Sequence, residues 1–356
     1  MRILHVITSL RTGGAEKLMV DLLPRLKGKD LDVDLLLFDG TDTPFRREVE
    51  AAGIKVFDLG IGGSVYSPLR LIRLLPFMRK YDVVHTHNTA PQIFAALCSI
   101  FSKTKLVTTE HNTSNRRRDW KWYASIDRWM YGRYRKVICI SKKAEDNLRS
   151  FIQDQSTKIL TINNGVDVGK YAGAKPSPEL EQLAAGSRKL IMVAGFRPQK
   201  DQDTLIRALS LVPDKFHLFL VGDGVRRPEL EAQTKELALD ARVHFLGLRT
   251  DVAELLHAAD YVVMSSHFEG LSLSSVEGMT VGKPMLASDV DGLREVVGGA
   301  GILVPHGDSN ALAARILDLD TNVEKYRTIA SACGHRAAQF DISAMAEKYS
   351  QLYSTL

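Results

Sequence analysis

The stretch FEGLSLSSVEG, Phe268–Gly278, sets two glutamates eight residues apart around a run of small side chains. It follows the β-branched run YVVMSS (261–266), so a strand ends near Ser266, Phe268–Leu273 forms a turn, and SSVEGMTVG opens a helix. The first amides of a helix have no intrahelical carbonyl to bond, and together with the helix dipole they make an anion site. Gly270, Ser272, Ser274 and Ser275 are small enough for a diphosphate to approach the backbone. Ser274-Ser275-Val276-Glu277 is also a capping box, which would account for Glu277 without any ligand.

Outward from this stretch, short apolar runs alternate with amphipathic segments along the whole chain. RILHVITS, VDLLLF, VVHTH, KLVTTE and KVICIS occupy the first half; KLIMVAGF, HLFLVGDG, VHFLG, YVVMSS, PMLAS and GILVP occupy the second. Continuous apolar runs of that length predict parallel strands buried on both faces and joined by helices, an α/β class stated twice. The periodicity lapses in NNGVDVGKYAGAKPSPEL, Asn163–Leu180, which predicts a domain boundary near Asp167. The expected organisation is residues 1–167, residues 168–341, and a closing helix over 342–356 joining the first domain. Ligands of open parallel sheets bind beyond the carboxyl ends of the strands. Two such domains facing each other would set two strand-end surfaces across one cleft.

Carboxylates flanking a phosphate repel it unless they face neutral hydroxyls. A sugar nucleotide carries such hydroxyls on both sides of its diphosphate, the sugar on one and the ribose on the other. GFRPQKDQDTLIRAL, from Gly195, adds Arg197 and Lys200 just after a strand, where two cations can neutralise a leaving diphosphate without a metal ion. A solvated basic loop is the plainer account of the same residues. Gly13-Gly14 follows the first strand and Gly222 and Gly224 follow another, but both lack the third glycine of a dinucleotide fingerprint. His85 and His87 close one strand and His111 the next; no HExxH or paired-carboxylate pattern accompanies them, so no metal site is expected, and His85 and His87 are expected to bond backbone.

All three tryptophans lie in NRRRDWKWYASIDRWMYGRYRKV, Asn115–Val137, interleaved with Lys and Arg. The run from Arg116 to Lys136 suits an anionic membrane surface, with packed aromatics and a solvated basic face as the alternative. The net charge of +5 favours an anionic partner; a nucleic acid is not expected. Three scattered cysteines argue against a disulfide framework, and no run approaches membrane-spanning length. A cytoplasmic chain, at most peripheral on the inner face of the membrane, is the expectation.

GGAEKLMVDLL, TEHN, NNGVD, GFRPQKDQDTLIRAL, VGDG, EGLSLSSVEGMTVGKPMLASDVDGLREVV and GILVPHGD occur in that order over nearly the whole chain. This series resembles the family 4 glycosyltransferases of the GT-B fold, with two Rossmann-like domains facing an interdomain cleft. The resemblance implies retaining, metal-independent transfer of a hexose from a nucleotide-diphosphate sugar, UDP-sugar ahead of GDP-sugar, to a polysaccharide or lipid-linked glycan. The nucleotide sugar is then a substrate, and no cofactor is implied. Carried over by residue, Glu269 meets donor-sugar hydroxyls and Glu277 the ribose, while amides of Ser272, Leu273 and Ser274 with Lys200 hold the diphosphate. Gly13 and Gly14 approach the diphosphate, His111 contacts the donor sugar, and Gly222, Arg249, Gly270 and Leu271 complete the donor set. The family places arginine where Gly195 stands; here either Arg197 swings into that role or Lys200 acts with less help. A sugar-nucleotide epimerase of the same fold, an NAD-dependent dehydrogenase and a two-lobed solute-binding protein are the alternatives.

Overall fold

Parallel pairing buries a strand on both faces, and the apolar runs do pair in this way. The computed structural model describes all residues except Thr12, Asp30, Ile61 and 112–122. Seven strands, β1 (Arg2–Ile7), β2 (Asp32–Leu37), β3 (Lys55–Asp58), β4 (Val83–His87), β5 (Lys105–Glu110), β6 (Lys136–Cys139) and β7 (Ile159–Thr161), form one all-parallel sheet in the order 3-2-1-4-5-6-7. Six more form a second, in the order β10-β9-β8-β11-β12-β13: β8 (Arg188–Val193), β9 (Phe216–Val221), β10 (Val243–Gly247), β11 (Tyr261–Met264), β12 (Met285–Ser288) and β13 (Ile302–Val304). Each sheet follows the Rossmann order, reversing direction between β1 and β4 in the first and between β8 and β11 in the second.

β3 and β7 were not foreseen. β3 is a four-residue edge strand, KVFD, with exposed charged ends and no continuous apolar run, and β7 is only three residues long. Neighbouring strands and turns define them, not their own pattern.

One compact unit contains Met1–Gly165 with Ile342–Leu356, and the other Val166–Asp341. Val166 and Asp341, the first and last residues of the second unit, form a parallel bridge. In the first unit the period-2 alternation of β1 divides its core in two. Ile3 and Ile7 pack beneath the helices Gly14–Lys27 and Ile342–Ser354, whereas Leu4 and Val6 face the opposite layer, with Leu74, Met130 and Leu148. His5, His85 and His87 lie on the face beneath Ile342–Ser354, since β1 and β4 pair with His5 beside His85, and β4 and β5 pair with His87 beside Thr109.

In the second unit the helix Leu273–Thr280 lies close on β11. Gly278 makes this approach possible, for a Cβ there would stand 2.5 Å from Val262 Cγ1. Gly278→Ala therefore sets about 1 kcal/mol of helix propensity against about 1–3 kcal/mol of overpacking. The expected outcome is a lowered melting temperature. Val262→Ala in the same chain should recover part of that loss, read as a favourable coupling of about 1 kcal/mol in a double-mutant cycle of thermal unfolding; additive effects would disprove the packing account.

Candidate functional site

The loops after β8 and β11 meet at the reversal point of the second sheet. After β8 the chain passes Gly195 and Arg197, makes a single 3-10 turn over Pro198–Lys200, and reaches Asp201 at φ 49°, whose carboxylate accepts from the Thr204 amide and caps the helix Gln202–Ser210. An aspartate tolerates this left-handed position better than most residues. The two loops are then fastened together: Ser265 Oγ donates to the Asp201 carbonyl at 2.7 Å, and the His267 amide to the Gln199 carbonyl at 2.9 Å. This fixes Lys200 opposite Glu269. Lys200 Nζ donates to Glu269 Oε1 at 2.5 Å, and Ser266 Oγ donates to the same oxygen at 2.8 Å. Both side chains are largely sheltered, with relative exposures of 22% for Lys200 and 10% for Glu269.

The Leu273–Thr280 helix begins beside this pair. Ser272 is its N-cap residue, but its side chain caps nothing; its Oγ instead accepts from Ser275 Oγ at 2.8 Å. The amides of Leu273 and Ser274 have no carbonyl within the helix to bond, so the helix presents uncapped donors on small residues. The capping box does not form, because Ser274 lies inside the helix and not at its N-cap. Glu277 is half-buried in the middle of this helix, away from the position a box glutamate would hold. The segment Glu269–Gly270 is shaped from behind by the helix Asp291–Val297: a Cβ on Gly292 would overlap the carbonyl oxygens of both residues. Leu271 is buried and anchors the turn from within.

The other predicted residues of this unit take varied places. Gly222, at φ 133°, has its missing side chain directed at the Ala194 carbonyl, and Gly224 likewise abuts Phe196, so both let the β9 loop close on the β8 loop. Arg197 is exposed, and its Nε comes within 3.7 Å of where a Gly195 Cβ would stand. Its side chain thus turns back over Gly195. Arg249, expected among the donor contacts, is engaged by carboxylates of its own unit. Its guanidinium binds Glu179 through both terminal nitrogens, at 3.0 and 2.6 Å, and Asp251 at 2.8 and 2.7 Å. Hydrogen bonds to Asp251 and Glu179 raise its pKa further, and the same contact holds Asp251 below the usual carboxylate range. Committed to two carboxylates, it staples the β10 loop to the helix Pro178–Leu183.

In the first unit Gly13 precedes the helix Gly14–Lys27, and open space surrounds Gly14 where a Cβ would stand. Glu16, a residue not singled out beforehand, curls back against Gly13; burial raises its pKa, offset by bonds to its own amide and to Asn88. His111 is partly exposed, and its Nε2 lies 3.0 Å from His87 Nδ1. Burial lowers its pKa to about 4. His85 and His87 are fully buried and bond side chains, not backbone: His85 meets Tyr353 and Thr109, and His87 meets His5 and His111. Strand register brings these rings together from positions that no local pattern relates. Among the described residues the one trio of metal-ligand type is His5, His85 and His87, whose ring nitrogens lie within 4.8 Å of one another. Every one of those nitrogens already has a protein partner. Of the basic aromatic segment, Trp129 is exposed on the helix Tyr123–Gly132, while Trp120 and Trp122 lie outside the described residues. No helix among the described residues is long and apolar enough to cross a membrane.

Comparison with known proteins covers both units. The profile described as Glycosyltransferase Family 4 matches residues 12–170, and that described as Glycosyl transferases group 1 matches residues 187–322. The chain is 28% identical over 295 residues to the putative glycosyltransferase EpsD of Bacillus subtilis, covering 77% of each chain. It is 25% identical over 312 residues to the UDP-Gal:alpha-D-GlcNAc-diphosphoundecaprenol alpha-1,3-galactosyltransferase of Escherichia coli, covering 82% of this chain and 80% of that one. Crystal structures of Anabaena HepE with UDP and with UDP-glucose align over 100% of both chains at 26% identity, with TM-scores of 0.88 and 0.86. With two Rossmann-ordered sheets, a helix of uncapped amides beside a Lys–Glu pair and a matching profile on each half, the chain belongs to the family 4 glycosyltransferases of the GT-B fold.

Proposed function

We propose that this glycosyltransferase moves a hexose from a UDP-sugar to a polysaccharide or lipid-linked glycan, with retention at the anomeric carbon and without a metal ion. The observation that carries the reading is the uncapped head of the Leu273–Thr280 helix beside the Lys200–Glu269 ion pair. Two unpaired amides, the helix dipole and an ammonium group supply the charge complement of a diphosphate. UDP is favoured because HepE is known with UDP and UDP-glucose and the Escherichia coli relative is a UDP-Gal enzyme. The same relative acts on a diphosphoundecaprenol-linked sugar, which supports a lipid-linked acceptor.

In the resting enzyme Lys200 is neutralised by Glu269. A bound diphosphate competes for the ammonium, and Glu269 is then free to accept from donor-sugar hydroxyls. As the glycosidic C–O bond breaks, negative charge grows on the departing β-phosphate, where Lys200, Arg197 and the Ser272–Ser274 amides stabilise it. The departing oxygen takes the acceptor proton on the same face, so no side chain serves as general base. Glu277 holds the ribose, and His111 hydrogen-bonds the donor sugar.

A membrane-facing role also has an observation behind it. Ile100 and Phe101 are exposed on the 3-10 turn Ser99–Phe101, which Arg79 and Arg133 grip through its backbone and Ser99, with Trp129 exposed on the helix that precedes Arg133. Apolar tips ringed by arginine suit an anionic lipid surface near a lipid-linked acceptor.

Glu277→Ala should raise the Kd for UDP about 10–100-fold, the loss of a charged hydrogen bond, with an unchanged melting temperature; calorimetry showing unaltered affinity would remove Glu277 from the ribose. Lys200→Ala should lower kcat about 100-fold while UDP affinity falls much less. Transfer should proceed undiminished in EDTA, and the first product observed by proton NMR should keep the donor's anomeric configuration; an inverted product or a chelator-silenced enzyme would refute the mechanism. Phe101→Asp should abolish sedimentation with phosphatidylglycerol vesicles yet leave UDP binding intact, whereas a wild-type protein that ignores the vesicles ends the membrane reading.

A further inference from the structure

Beneath the Ile342–Ser354 helix a single line of hydrogen bonds joins that helix to His111. Tyr349 Oη lies 3.1 Å from Thr109 Oγ1, which lies 2.8 Å from His85 Nε2; His85 Nδ1 lies 2.6 Å from Tyr353 Oη. Tyr353 Oη lies 3.2 Å from His5 Nε2, His5 Nδ1 lies 3.0 Å from His87 Nε2, and His87 Nδ1 lies 3.0 Å from His111 Nε2. Burial keeps His5 near pKa 3 and His111 near 4, and holds His85 and His87 well below the ordinary imidazole value, so all four rings are neutral at neutral pH. The rings are also fixed in place: His5 and His87 stack at 5.3 Å, His85 and His87 at 4.5 Å, and His85 and Tyr349 at 5.5 Å.

A neutral imidazole has one N–H and one bare nitrogen, and a hydroxyl has one proton to give. In an unbranched line of such groups whose hydroxyl protons are each used within the line, one donor's direction dictates all the others. Running toward Tyr349, the line ends on a phenol whose proton must find an acceptor beyond Thr109 in a fully buried site, and an unmet buried donor is costly. Running toward His111, every buried proton is used by the next group, and the outlying N–H falls on Nδ1 of the partly exposed ring. We propose that this relay positions His111, locking its ring as the Nδ1–H tautomer so that it presents a hydrogen-bond donor, with Tyr353, His5 and His87 as positioning residues. The inference rests on the reading above that His111 meets an oxygen of the donor sugar; an N–H aimed at a hydroxyl oxygen is the complement that contact requires.

The test uses the full-length protein labelled with 15N-histidine, in a two-bond proton–nitrogen correlation spectrum that separates protonated from bare ring nitrogens. His5, His85, His87 and His111 should all show protonated Nδ1 and bare Nε2. Tyr353→Phe removes the central hydroxyl and should bring the two His111 nitrogen resonances toward each other as tautomers mix, while the separate His217–His244 pair of the second unit, 3.0 Å apart, stays unchanged as an internal reference. The same variant should lower kcat about 10-fold or more, the effect of a loosened catalytic geometry, with little change in donor KM. A wild-type His111 protonated at Nε2, or unmoved His111 resonances in the folded variant, would overturn the proposal, and the wild-type spectrum decides it even where the variant fails to fold. His111→Ala with undiminished transfer would instead refute the sugar contact and leave the relay standing.

Discussion

Two amides at the head of one helix, those of Leu273 and Ser274, have no carbonyl within the helix to bond, and the surrounding second unit is arranged around that deficit. Ser272 stands where a capping hydroxyl normally sits, yet its oxygen is taken by Ser275, so the donors stay uncapped. Lys200 arrives from the neighbouring loop on the other side of the sheet's reversal point, held there by Ser265 and His267. Gly292 keeps the Glu269–Gly270 backbone in place, and Gly222 and Gly224 close the loops together. An anion is the natural partner of such an arrangement, and a carboxylate on either side gives hydroxyls something to bond.

The first unit solves a different problem with similar architecture. Three histidines fully buried in a sheet would each cost dearly if left unpaired. They are instead satisfied by one another, by Thr109 and His111, and by Tyr353 of the helix Ile342–Ser354, so that helix completes a polar network as well as an apolar core. That network ends on His111, so the ring assigned to the sugar is held by groups from three strands and a helix some 240 residues away in sequence from Thr109 to Tyr349. Satisfied networks of this kind confer rigidity, because any member that moves strands a neighbour's donor or acceptor.

Several readings depended on what lies far along the chain. The resemblance implies a donor contact for Arg249, but nothing local announces its bond to Glu179, 70 residues away. The capping box rests on four adjacent residues alone; the helix begins two residues earlier, with Ser272 and not Ser274 as its N-cap, which removes the competing account of Glu277. β3 and β7 escaped notice because edge and short strands borrow their conformation from neighbours. Ser266, which shares Glu269 with Lys200, had no signal at all beyond being small.

The sequence alone determined the α/β class, eleven of the thirteen strands among the described residues and the candidate phosphate-binding helix, since burial on two faces writes a long apolar run and a helix start writes small residues. It also placed Lys200, Glu269 and His111 just beyond strand ends and Glu277 inside the helix that follows the Phe268–Leu273 turn. Only the tertiary structure decided which of these meet: that Lys200 pairs with Glu269, that Arg249 is spent on Glu179 and Asp251, and that four histidines join into one line. Periodicity is a property of neighbours in the chain, whereas pairing depends on strand order and register, and those are set by the packing of the whole sheet.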